Sequence, residues 1–232
     1  MPGSADFSLA MANLTSDVVA QGSRVQRQLE LAFDSLFSRD RTKAAEAAKL
    51  DDEIDRIDVE IERSAVALLT EMASSPTPVT QEEIRWILTL VKVNNELERI
   101  ADVGVEVTEF VDPAVTTPFP DTFRIMANSV IGILRDVNAS FSKKDPRLAK
   151  LVLQSQHAVN RFKIQVVKDA EAKIAASTMT VDFGFTVHEI ASLCETIADH
   201  CTNISEQIIY AQTGAIVRHM ESCWVEVGEK KN

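Results

Sequence analysis

Glu98-Arg99-Ile100-Ala101-Asp102 and Glu195-Thr196-Ile197-Ala198-Asp199 are one motif written twice, 97 residues apart, and the carboxylates Glu109 and Glu206 keep the same offset. Each copy lies within an apolar pattern of helical period, so the fold is read outward from a duplicated acidic helix. Carboxylates four residues apart share a helix face, and such pairs are candidate ligands for a metal ion.

Around these motifs, helical periodicity predicts six long helices at roughly 8–38, 41–73, 80–110, 120–142, 146–176 and 182–212, with a short tail in which a further helix is allowed. The breaks have chemical causes. Ser74-Ser75-Pro76-Thr77-Pro78 stops the second helix, and Thr80 with Glu83 forms a capping-box pattern that starts the third. Pro113, Pro118 and Pro120 interrupt the middle of the chain, Asp145-Pro146 offers an N-cap and a first-turn proline, and Thr213-Gly214 ends the sixth helix. Short connections favour antiparallel neighbours. The expected architecture is therefore all-α, two tandem, pseudo-symmetric three-helix bundles. The first repeat spans 1–112, a proline-rich hinge 113–120, the second repeat 121–214 and a C-terminal tail 215–232.

Composition agrees. The 232 residues are 45% hydrophobic and 25% charged, enough for a sizeable core, and only 7 Gly and 7 Pro are present, as suits long helices. A net charge of −11 with no basic, aromatic-interleaved cluster argues against direct nucleic-acid binding. Neither a secretory leader nor an apolar run of about 20 residues is present, so a cytoplasmic location is expected. Cys194, Cys201 and Cys223 are an odd set, read as reduced, small core residues. Trp86, Phe119, Phe123 and Trp224 are read as core.

The third helix carries Ile84, Leu88, Val91, Asn95, Glu98, Asp102, Val105 and Glu109 on one line, and the sixth carries Val181, Phe185, His188, Ser192, Glu195, Asp199, Thr202 and Glu206, with Asn203 one turn beyond Asp199. Both lines begin apolar and become acidic, so carboxylates are expected at a bundle seam, where they are costly without a cation, an arginine or water. Asp51, Asp55, Asp58 and Glu62 make a matching line on the second helix. If the second and third helices are neighbours, Asp51 and Asp55 face Glu98 and Asp102. Hard oxygen donors of this kind suit Mg, Mn or Fe(II), and zinc is tolerated. Aligning the two halves on Asp40 and Asp145 puts Gln156 and Asn160 opposite Asp51 and Asp55, which predicts weaker metal binding in the second half, aided by Glu206, Asn203 and water. The competing reading is a solvated acidic face with ion pairs such as Glu98-Arg99 and Asp55-Arg56; the shared register of the two motifs favours metal.

His200 points off the acidic line and is read as a satisfied or surface histidine. There is no Gly-rich phosphate loop, no Gly-x-Ser-x-Gly elbow, no His-Glu-x-x-His and no Glu-x-x-His pair at either motif, so no catalytic residue is assigned and no enzyme activity is expected.

At Glu96-Leu97-Glu98-Arg99-Ile100-Ala101-Asp102, and again at Ile197-Ala198-Asp199-His200-Cys201-Thr202-Asn203-Ile204-Ser205-Glu206 followed by Ile208-Ile209-Tyr210 and Thr213-Gly214, the chain resembles the two signatures of the PhoU family of bacterial phosphate-uptake regulators. The likeness extends over nearly the whole chain. It departs at Thr196, where arginine is usual, at Glu106, where asparagine is frequent, and at Gln156 and Asn160. The resemblance implies two similar three-helix bundles with metal ions on the bundle surface. Carried over by position, the ligands are Asp51, Asp55, Glu98 and Asp102 in the first half and Glu195 and Asp199 in the second. Glu106, Glu109, Asn203 and Glu206 are candidates for further ligation or supporting hydrogen bonds. The implied cofactor is a divalent metal ion, drawn from Fe, Zn, Mn or Mg. The implied function is negative regulation of phosphate uptake and phosphate-starvation signalling by a non-enzymatic adaptor. Its partners would be the ATPase of a phosphate ABC transporter and a phosphate-sensing histidine kinase, with membrane association only through those partners and room for a homodimer. The alternatives are an accessory protein of another phosphate transporter and a metal-binding helical protein of unrelated role.

Overall fold

The computed structural model describes residues 4–74, 79–220 and 223–227. Six helices follow one another: α1 Ser4–Ser38, α2 Arg41–Ser74, α3 Gln81–Glu109, α4 Asp121–Lys143, α5 Pro146–Ala175 and α6 Val181–Thr213. The protein is a pair of tandem three-helix bundles. Pro76 and Pro78, expected to end α2, lie outside the described residues, as do the side chains of Cys223 and Trp224.

Local chemistry accounts for the helix ends. The Asp40 carboxylate caps α2 by accepting from the Thr42 amide at 2.8 Å, and Asp145 caps α5 in the same way through the amides of Arg147 and Leu148, with Pro146 in the first turn. Thr80 and Glu83 form the reciprocal capping box of α3. Gly214 ends α6 at φ +74, a left-handed conformation that a Cβ would penalise. Among the described residues after Gly214 there is no helix. Ile216–Met220 and Cys223–Val227 pair antiparallel as a two-stranded hairpin, β1 and β2. The β-branched residues Ile216, Val217, Val225 and Val227 favour that state.

Within each repeat the three helices pack on one another, and the repeats join where α3 lies on α6 and α1 on α4. One apolar core runs through both, from Val18, Leu29 and Phe33 through Leu90 and Leu97 to Phe123, Leu134, Ile190 and Ile208. Phe119, Phe123 and Phe37 meet with centroids 5.0–5.7 Å apart, and of the aromatic residues read as core, Trp86, Phe119 and Phe123 are buried or packed against it. Cys194 and Cys201 are buried free thiols, each pushed well up by desolvation.

The turns between the first two helices of each repeat reach across to the other repeat. Arg39, at φ 56, lays its guanidinium 5.9 Å from the Phe183 centroid, and Lys144, at φ 52, puts its ammonium 4.2 Å from that of Trp86. Arg39 also donates to the carbonyl oxygens of Asp112 and Thr117, holding the proline-rich connection against the first repeat.

The acidic ends of the two lines border the α2–α3 and α5–α6 grooves, but their apolar beginnings do not enter the core as expected. On α3 the buried face is Trp86, Ile87, Leu90, Val93, Asn94, Leu97, Ile100, Ala101, Gly104 and Val107. The line that begins at Ile84 runs beside it, leaving Ile84 and Leu88 41% and 46% exposed, and Val181 and Phe185 on α6 are 55% and 65% exposed. The expectation treated the apolar residues that open each line as a marker of the core stripe, but Ile84, Leu88, Val181 and Phe185 are surface residues, and only Val91 packs against the core. The carboxylates flank the core instead of entering it. Among the described residues no helix is long and apolar enough to cross a membrane.

Truncating Phe123, which is fully buried in the aromatic cluster between the repeats, is expected to cost about 3–5 kcal/mol. Phe123→Ala should lower the denaturant midpoint of the whole molecule. A loss under about 1 kcal/mol would mean that the repeats do not share this core.

Candidate metal site

Two buried glutamines of α1 set the backbone behind the acidic groove. Gln21 donates to the Ile54 carbonyl at 2.7 Å and Gln28 to the Ala101 carbonyl at 2.9 Å. Ile54 and Ala101 immediately precede Asp55 and Asp102, so α1 clamps α2 and α3 at the positions that carry the carboxylates. Gly104 permits the approach, because a Cβ there would collide with the Gln28 amide. These glutamines have a sequence signal: they are polar residues seven apart on the apolar stripe of α1.

On the outer side, ligand oxygens of Asp51, Asp55 and Asp102 all lie within 4.8 Å of one another. Asp51 and Glu98 are half-buried, while Asp55 and Asp102 are exposed. Asp58 completes the set, accepting from the buried Asn94 amide at 2.6 Å. Glu98 and Asp102 thus confront the acidic line of α2 across the α2–α3 groove, and among the described residues none of these five carboxylates enters an ion pair.

Burial, reinforced by Asp55, Asp102 and Asp52, pushes Asp51 up to about 6. Burial and repulsion from Asp102, Asp58 and Asp55 push Glu98 up to about 7, against a smaller pull from Arg99. Asp55 and Asp58 are raised for the same two reasons. One oxygen of Asp51, Oδ1, is buried with no hydrogen-bond partner. A partly desolvated oxygen cluster with mutual repulsion and an orphaned acceptor fits a hard divalent cation.

In the second repeat the expected residues have other partners. The Lys163 ammonium is 2.6 Å from Glu195 Oε2, and the Gln156 side-chain amide donates to Asp199. Asp199 stays raised, by burial first and by Glu195 beside it, against smaller pulls from Gln156, His200 and Lys163. Asn203 turns away from the acidic line and donates to Glu96 Oε2 at 3.0 Å, where His200 Nδ1 also lies at 2.7 Å. His200 is thus satisfied across the α3–α6 seam. Burial opposes the charge on Glu96, but these two hydrogen bonds outweigh it and hold the carboxyl below its ordinary range. Glu106 and Glu109 are exposed and stand outside the converging set, and Glu206 is half-buried on α6. Sequence reasoning missed Lys163 and the Glu96, His200 and Asn203 cluster. Lys163 had a signal, since the 105-residue offset between Asp40 and Asp145 also carries Asp58 onto it.

The family model of the PhoU domain matches this chain twice, at residues 18–111 and 123–208. Among proteins of similar sequence is the phosphate-specific transport system accessory protein PhoU homolog 1 of Thermotoga maritima, 24% identical, with 90% of this chain and 89% of that protein covered. The phosphate-specific transport system accessory protein PhoU of Escherichia coli strain K12 is 22% identical, with 94% and 89% covered. Among solved structures, the phosphate transport system regulatory protein PhoU from Streptococcus pneumoniae superposes with a TM-score of 0.81 at 19% identity, over 92% of this chain and 100% of that one. PhoU from Pseudomonas aeruginosa gives 0.80 at 22%, over 90% and 99%.

Carboxyls with raised folded-state pKa values bind protons more tightly than in the unfolded chain, so stability falls as pH rises from about 4 through about 7 and levels off above that. In metal-free buffer, the melting temperature should drop between about pH 5 and about pH 8, and Asp102→Asn should shrink the drop by removing a shared repulsion. Parallel melting curves of the two proteins check this; an equal drop in both would mean that the groove charges are not coupled.

Proposed function

The chain belongs to the PhoU family, and on that premise we propose that it is a regulatory accessory protein of phosphate-specific transport, a negative regulator of phosphate uptake and of phosphate-starvation signalling. The observation that carries the reading is the double family match at 18–111 and 123–208, shared with relatives described as phosphate-specific transport system accessory proteins over about nine-tenths of the chain. The protein acts by binding rather than by catalysis.

Asp51, Asp55 and Asp102 would hold a divalent cation, Fe, Mn, Mg or Zn, with Glu98 outside that converging set but close enough to feel Asp102 and Asp55, and the ion would supply positive charge and open coordination positions on an otherwise acidic surface. Asp58 adds charge to that groove while held by Asn94. Two further surfaces run from the same lines: Ile84 and Leu88 on α3, and Val181 and Phe185 on α6, all exposed apolar residues at one repeat offset. Apolar residues bordered by charge suit a protein partner. The partners proposed are the ATPase of a phosphate ABC transporter and a phosphate-sensing histidine kinase, so that the chain reaches the membrane through them.

Deleting the gene in its native host is expected to raise alkaline phosphatase activity in phosphate-rich medium, and restoring it to lower the activity again. Leu88→Ser with Phe185→Ser should fail to restore repression while changing stability by less than about 1 kcal/mol, because both side chains are surface residues. Low activity in the deletion strain would reject the repressor role, and full repression by the double variant would reject these residues as the docking surface.

A further inference from the structure

The two repeats superimpose residue by residue in sequence, and the burial pattern shows that the register is real. At an offset of 105, the buried residues Ala47, Ile54, Ile61 and Ala65 of α2 fall on the buried residues Val152, Val159, Val166 and Ala170 of α5. In that register Asp51, Asp55 and Asp58 fall on Gln156, Asn160 and Lys163. At the α3–α6 offset of 97, Glu98 and Asp102 fall on Glu195 and Asp199. The first groove therefore gathers five carboxylates, and its counterpart gathers two carboxylates, two amides and one ammonium.

The carboxylates of the second groove already have side-chain partners, although Asn160 Oδ1 is buried with no hydrogen-bond partner, as Asp51 Oδ1 is in the first. Lys163 reaches Glu195 at 2.6 Å with both side chains mostly covered, 24% and 31% exposed. Gln156 fills a hydrogen-bonding position on Asp199. The supports behind the groove differ as well. The clamping amides Gln21 and Gln28 are replaced at the same offset by Met126 and Ile133, which are buried apolar residues. The second repeat therefore lacks the charge, the ligand number and the polar backing by which the first fits a hard cation.

We propose that Lys163 is a tethered cation standing where the second repeat would otherwise need a metal ion, so that the chain takes metal in the first repeat alone and folds its second repeat without any. An ammonium fixed by the chain neutralises Glu195 at every metal concentration, whereas an ion does so only above its dissociation constant. Metal would then bear on the α2–α3 groove and leave the α5–α6 groove unchanged. The inference rests on the metal reading of the first repeat for its first half and on Lys163 for its second, and the two halves separate experimentally.

The test counts manganese bound to the full-length protein after loading with Mn(II) and desalting, and follows the manganese-dependent rise in melting temperature. Asp55→Asn with Asp102→Asn is expected to remove the bound manganese and the rise together. Adding Gln156→Asp, Asn160→Asp and Lys163→Asp to that background is expected to restore about one equivalent of manganese and the rise with it, as a rebuilt oxygen site requires. Conversely, Asp58→Lys in the otherwise unchanged chain is expected to abolish manganese binding and raise the melting temperature in metal-free buffer. Manganese retained by the Asp55→Asn, Asp102→Asn protein and lost on Glu195→Gln would overturn the proposal. So would a folded triple-aspartate variant that binds none. Should that variant not fold, undiminished manganese binding by Asp58→Lys would overturn it instead. An unaltered protein that binds no manganese, beside a triple-aspartate variant that does, would refute the first-repeat metal reading and leave the role of Lys163 standing.

Discussion

Repulsion among carboxylates that the core holds in one groove is the constraint from which the other features of the first repeat follow. Ile54 and Ala101 are fully buried, and each is bonded through its carbonyl to a glutamine of α1. Asp55 and Asp102 must then emerge beside one another, with Asp51, Asp58 and Glu98 close by. The raised affinity of Asp51 and Glu98 for protons expresses this geometry. So does the unpartnered oxygen of Asp51. A proton, or the divalent cation proposed for this groove, would relieve the repulsion and so favour the folded state over the unfolded chain.

The second repeat keeps the scaffold and resolves the same conflict with side chains. Lys163 and Gln156 satisfy Glu195 and Asp199 directly. Meanwhile His200, next to Asp199, and Asn203, one turn farther along α6, serve the junction with α3 through Glu96. One helical plan thus carries two solutions: a groove that is open to an external cation, and one that is closed by an internal cation and tied to the other repeat. The crossed contacts of Arg39 with Phe183 and Lys144 with Trp86 join the two units at both ends of the seam.

Much of this was legible in the sequence because it is local. The capping box at Thr80 and Glu83, the Asp145-Pro146 start and the Gly214 stop each depend on neighbouring residues, and each is present. The repeat was visible because a duplicated motif keeps its offset. What depended on partner helices was less visible. The apolar openings of the acidic lines, Ile84 and Val181, were read as a bundle-facing stripe, yet those residues face solvent, and one helix face cannot reveal by itself whether an apolar residue is covered by its own chain or left exposed. Pairing Glu96 with His200 required the packing of α3 on α6, which no spacing within either helix encodes. The hairpin at Ile216–Met220 and Cys223–Val227 is too short for alternation to stand out from helical patterning.

The most direct test of the central claim is the anomalous diffraction of crystals soaked in Mn(II). The account predicts an anomalous peak between Asp51, Asp55, Glu98 and Asp102 and none between Glu195 and Asp199, with the Lys163 ammonium still against Glu195. A peak at Glu195 and Asp199, or no peak in the first groove at saturating Mn(II), would contradict it.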